Sequence, residues 1–120
     1  MILIDTSVWV DHLYRGDQAV AELLEQGSVV MHPFVLGELA CGKLRNRDET
    51  LRTLAALPTT AVSTDEEALE LIESSSLMGR GLGYIDVHLI ASALIAGDVL
   101  WSRDKQLAAA AAELKVRFDG

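Results

Sequence analysis

Short apolar runs alternate with amphipathic stretches along this chain, and that alternation predicts strands separated by helices. Ile2-Leu3-Ile4 is a run of branched apolar residues that reads as a strand buried on both faces. Ser7 to Tyr14 reads as a short helix ended near Gly16. Asp17 can cap a second helix through Gln26, with Ala19, Val20, Leu23 and Leu24 on its apolar side. Val29 to Met31 reads as a second strand, broken where His32-Pro33 opens a helix that runs toward Leu44. Asp48 to Leu57 is a further helix stopped by Pro58, and Thr59 to Val62 a weak third strand. Thr64 with Glu67 is a capping-box signature for a helix through about Ser74. A Ser- and Gly-rich loop follows to Gly83, and Asp86 opens the most apolar helix, Val87 to Ala96. Val99 to Trp101 is the fourth strand, followed by an alanine-rich helix through about Leu114 and an edge strand over Lys115 to Phe118. Strands alternating with helices at this spacing imply an α/β fold whose parallel sheet is covered on both faces.

Composition narrows this to one domain, residues 1–120, with no repeat or linker. Apolar residues make up 50% of the chain, which excludes disorder. No apolar run reaches the roughly 20 residues that span a bilayer. With one residue ahead of the first strand, no targeting segment is expected there. The single cysteine, Cys41, excludes an internal disulfide framework and reads as a small core residue. A cytoplasmic location fits these absences. The net charge of −8 argues against loose, charge-driven nucleic-acid binding. It suits a protein that binds cations or meets a basic partner.

Four acids stand out by position: Asp5, Glu38, Asp86 and Asp104. Asp5 ends the first strand and Asp104 lies just past the fourth, so neighbouring strands would bring both to the same end of the sheet, where open α/β sheets bind ligands. Asp86 begins the helix that leads to the fourth strand. Glu38 lies about a turn and a half inside its helix, among Leu36, Leu39 and Ala40, which read as buried. Each aspartate also has a plain reading as a helix cap or first-turn acid. Carboxylates brought together repel one another unless a proton or a cation intervenes. An oxygen-only set suits Mg²⁺ or Mn²⁺, ions that support phosphodiester displacement. No thiolate or paired-histidine motif for zinc is present. His12, His88, Trp9 and Trp101 read as structural, and Gly79-Arg80-Gly81-Leu82-Gly83 lacks the preceding strand of a nucleotide loop.

The segments ILIDTSVWVDHL, PFVLGELACG, YIDVHLIASAL and LWSRDKQL resemble, in order, the motifs of PIN-domain ribonucleases, and more narrowly of VapC toxins of bacterial toxin–antitoxin pairs. The resemblance spans nearly the whole chain. It implies a three-layer α/β/α sandwich with a central parallel sheet, and an acidic metal site of Asp5, Glu38, Asp86 and Asp104 for Mg²⁺, with Mn²⁺ as the alternative. It gives Thr6 and Ser102 supporting roles. It further implies RNA cleavage, a homodimer, and silencing by a VapB-type antitoxin whose basic tail crosses the site. An RNA-cutting enzyme this acidic needs local positive charge, for which Arg15, Lys43, Arg80 and Arg103 are candidates, together with Arg45, Arg47 and Lys105.

Three rival readings belong to other classes. A haloacid-dehalogenase-like phosphatase needs a second Asp where Ser7 stands. A phospho-receiver domain needs an acidic pair at the first strand and an Asp at the third, and Thr59 to Thr64 has none. A noncatalytic module binding a basic partner peptide through the same acids is the remaining alternative.

Overall fold

The three apolar residues near the start of the chain form strand β1 (Ile2–Ile4), and the computed structural model, which describes residues Met1–Gly120, puts this strand in the middle of a parallel sheet. β2 (Val29–Val30) pairs on one side with Ile2 opposite Val29. β3 (Val99–Trp101) pairs on the other with Ile4 opposite Trp101. Leu3, Ile4 and Leu100 are buried, as strands covered on both faces require.

The two weaker strands shrink to single bridges, Met31 with Thr59 and Leu100 with Arg117. Beyond Met31 the chain turns into a helix at Pro33, so the pairing ends with the Thr60 N–H on the Met31 carbonyl, and Ala61 and Val62 have no strand left to pair with. On the other edge, Val99 and Trp101 turn their backbone groups toward β1. Leu100 alone offers its N–H and C=O outward, to Val116 and Phe118.

Seven helices cover the sheet in a three-layer α/β/α sandwich: α1 (Thr6–Arg15), α2 (Gln18–Glu25), α3 (Pro33–Cys41), α4 (Arg47–Ala55), α5 (Asp65–Ser74), α6 (Tyr84–Ala96) and α7 (Lys105–Glu113). The Thr64–Glu67 capping box starts α5 as expected. Helix α6 is the most enclosed, with every residue from Val87 to Ala93 buried. It begins at Tyr84, two residues ahead of Asp86, with Gly83 as its cap.

Helix α3 stops at Cys41, short of Leu44. The Arg47 guanidinium bonds the carbonyls of Ala40 (2.6 Å) and Gly42 (3.2 Å) and so satisfies the helix end. Its buried residues are Val35 and Leu39, one turn apart. Cys41 lies about 200° around the helix from Leu39. It is exposed, which corrects the expectation of a core thiol. Glu38, about 100° off the same stripe, is exposed too rather than buried among its neighbours.

Beneath α6 the buried His32, Ser92, Ser63 and His88 form a polar chain that reaches the surface at Asp65 and Tyr84. His32 Nε2 meets Ser92 Oγ at 3.1 Å, and Ser63 N–H donates to the same hydroxyl at 3.1 Å. Ser63 Oγ lies 2.6 Å from His88 Nδ1, and His88 Nε2 lies 3.2 Å from Asp65 Oδ1, which also accepts from the Tyr84 hydroxyl at 2.6 Å. His88 is therefore a core residue with both ring nitrogens engaged. Trp9 is also core, while Trp101 is half-buried against Phe118.

Candidate active site

Asp5 follows β1 directly, and its N–H bonds the Trp101 carbonyl at 2.9 Å, so the ends of β1 and β3 are tied together. Its carbonyl starts α1 by accepting from Val8 and Trp9, but its side chain makes no cap bond. The helix-cap reading of this carboxylate therefore fails. Asp5 Oδ2 instead accepts from the hydroxyls of Ser7 (2.9 Å) and Ser102 (2.8 Å). Both serines also grip the loop between β3 and α7. Arg103 N–H donates to Ser7 Oγ at 2.9 Å, and Asp104 N–H donates to Ser102 Oγ at 3.0 Å.

The other three acids stand around this point. Glu38 Oε1 accepts from the Thr6 hydroxyl at 2.7 Å, which ties α3 to the residue after Asp5. Asp86 Oδ2 accepts from Gly83 N–H at 2.9 Å, and Asp104 Oδ1 accepts from Leu107 N–H at 3.0 Å. These two do cap their helices, as the plain reading expects, and the cap uses one oxygen of each. Each of the four carboxylates thus gives one oxygen to the protein. Asp5 Oδ1, Glu38 Oε2, Asp86 Oδ1 and Asp104 Oδ2 have no protein partner, and none is sealed away from solvent.

The electrostatics agree with the geometry. Asp86 holds its proton above the ordinary carboxylate range, chiefly because burial disfavours its charge. The Gly83 N–H opposes this, and the negative charges of Asp5, Asp104 and Glu38 add to it. All three other acids are therefore within electrostatic reach of Asp86. No lysine or arginine is ion-paired with any of the four. The donor chemistry, four free oxygens without counter-charge, fits a hard divalent cation. The side chains are gathered but not drawn in, since no three acidic, imidazole or thiol groups lie close enough to hold an ion as they stand.

Of the candidate cations, Arg103 is paired with Asp11 and Asp17 and lies over the Trp101 ring. Arg80 forms a two-pronged pair with Glu113 (2.7 and 3.0 Å), and Arg15 pairs with Asp11 at 3.3 Å. Lys43 has no carboxylate partner; it lines a groove beside Glu38. Thr6 and Ser102 both touch site acids. Ser7, which sequence reading treats only as the start of a helix, is an equal partner of Asp5. The available signal was a hydroxyl two residues past an acid at a strand–helix junction.

Residues 2–113 match the PIN domain family. The chain is 47% identical to Ribonuclease VapC32 of Mycobacterium tuberculosis over 114 residues, 94% of this chain and 92% of that protein, in each of two strains. A chain from a toxin–antitoxin complex of Klebsiella pneumoniae has the same fold at a TM-score of 0.69, covering 90% of this chain and 91% of its own at 22% identity. PAE2754 from Pyrobaculum aerophilum follows at 0.62, covering 91% of this chain and 78% of its own at 16% identity. With the acids set around the carboxyl end of β1 and the family match running almost the length of the chain, the protein belongs to the PIN domain family, in its VapC branch.

Proposed function

We propose that this protein is a Mg²⁺-dependent endoribonuclease, with Mn²⁺ as an alternative ion, and the toxin of a type II toxin–antitoxin pair. The observation that carries the reading is the set of four unpartnered carboxylate oxygens on Asp5, Glu38, Asp86 and Asp104. Near-half identity to a protein named a ribonuclease supports the activity. A structural neighbour from a toxin–antitoxin complex supports a VapB-type partner, whose basic tail would meet the uncompensated acids. We also place the protein in the cytoplasm as a homodimer.

Asp5, Glu38, Asp86 and Asp104 would hold the metal. When bound, a divalent ion supplies positive charge to the phosphoryl oxygens and favours ionised water. The chain supplies order. Ser7 and Ser102 fix one oxygen of Asp5, which leaves the other aimed by two hydrogen bonds rather than free to rotate. Thr6 does the same for Glu38, and the Gly83 N–H for Asp86. Water attacks phosphorus and the 3′-oxygen leaves, giving a 5′-phosphate and a 3′-hydroxyl.

Asp5→Asn keeps an acceptor for both serines and removes the charge. It should lower RNA cleavage roughly 10³-fold, since several kcal/mol of charge stabilisation are lost at about 1.4 kcal/mol per tenfold. Cleavage of total RNA by the purified variant at the wild-type rate would defeat the reading. One observation favours a second reading, a noncatalytic module for a basic peptide: the acids do not close on one point. Titration of Mn²⁺ that shows binding with no RNA cleavage would select it.

A further inference from the structure

Between α1 and the end of α3 lies a groove of about 450 Å³ whose wall includes Glu38. That volume is within the roughly 300–1,000 Å³ of small-ligand sites. Its apolar lining comes from Val10, Leu13, Tyr14, Leu39 and Leu44, of which Leu39 is buried and Val10 and Tyr14 are exposed. Lys43 and Arg45 also line it, and neither has a carboxylate or carbonyl partner for its side chain. The groove therefore opens onto the acidic site through Glu38, which it shares, and presents two free cations on a chain of net charge −8.

We infer that this groove binds the nucleotide flanking the scissile phosphate, with its base against Tyr14 and Val10 and adjacent phosphates on Lys43 and Arg45. The inference rests on the ribonuclease reading and names where that substrate lies. Charge decides the occupant. A basic peptide would suit the rest of this acidic surface, but here it would set its charges against Lys43 and Arg45. An RNA strand places phosphates on them and a base on an aromatic face, a stacking contact that tolerates any base. Arg15, Arg80 and Arg103 are held by carboxylates, whereas Lys43 and Arg45 have no such partner and line the groove that Glu38 shares.

The test uses the full chain carrying Asp5→Asn, so that RNA is bound and not cut. Fluorescence anisotropy with a labelled random-sequence single-stranded RNA is followed over a salt series. Adding Lys43→Ala with Arg45→Ala should weaken binding at least tenfold. It should also lower the salt slope by about 1.4, at about 0.7 per phosphate contact on a single strand. Lys43→Arg with Arg45→Lys should restore the slope, and Tyr14→Ala should weaken binding without changing it. Unchanged affinity and slope in the double alanine variant overturn the subsite, as does a parent that binds no RNA. Loss of binding to an acidic peptide instead, with RNA binding intact, assigns the groove to a protein partner and equally overturns it. Cleavage by the wild-type chain is scored separately. Groove-dependent binding without cleavage sinks the nuclease reading and keeps the subsite; cleavage indifferent to Lys43 and Arg45 does the reverse.

Discussion

Two polar clusters meet on α6, and they use similar residues to opposite effect. Asp86, in the first turn, belongs to the acidic rim with Asp5, Glu38 and Asp104. His88, two residues on, belongs to the buried chain of His32, Ser92 and Ser63, which ends at the exposed Asp65. The buried chain is closed: each ring nitrogen of His32 and His88 has a partner, as a low-dielectric interior demands. The rim is left open. Its carboxylates share like charge, half of their oxygens are idle, and Asp86 is pushed toward its protonated form, first by burial and then by the neighbouring charges. Completed hydrogen bonding holds the fold; the idle oxygens of the rim are what the proposed metal reading rests on.

The largest effect expected on this contrast is at the rim. Asp86→Asn keeps an acceptor for the Gly83 N–H and removes one charge from the crowd. RNA cleavage should fall roughly 10³-fold while the urea midpoint stays level or rises. A marked loss of stability would show that Asp86 is a structural acid after all. In the buried chain the balance should invert. His88→Ala deletes a packed ring and leaves Ser63 without its partner, at a cost of about 3 kcal/mol in unfolding free energy. Cleavage measured well below the lowered midpoint should stay within a few-fold, and abolished cleavage by a folded variant would merge the two clusters into one site.

Acid should find the buried chain before it unfolds the rest. His32 is lowered from 6.5 to about 4, first by burial and then by the nearby His88. Its Nδ1 accepts the Phe34 N–H that caps α3, so a proton there would break the cap. The unfolded chain binds the proton and the folded one refuses it. Stability is therefore whole above pH 6.5 and declines as pH falls to about 4, by roughly 3 kcal/mol in all. His32→Asn, which can still cap, should flatten that part of the urea-midpoint profile; an unchanged profile would assign the acid sensitivity elsewhere. The smallest effect belongs to Ser7→Ala, which removes one of two hydroxyls on Asp5. Losing about 1.4 kcal/mol of positioning lowers cleavage about tenfold, with little change in the urea midpoint.

Local sequence determined much of this. The apolar run Ile2–Ile4 fitted a central strand, because a strand buried on both faces is apolar at every position and three branched residues are too few for a helix. The caps at Asp17, Thr64 and Asp104 specified where helices begin, since a cap acts within three residues of itself. Asp5, Asp86 and Asp104 were legible by their places at strand and helix ends, and Glu38 as an acid inside an apolar helix. Tertiary structure alone decided what could not be read from neighbours in the chain. It showed that Asp5 does not cap and that Ser7 and Ser102, 95 residues apart, converge on one of its oxygens. It also exposed Cys41 and Glu38, and it paired Arg103 with Asp11 and Asp17 while leaving Lys43 free. Strand and cap preferences are short-range properties of the backbone, whereas the partner of a charge is fixed only when distant segments pack.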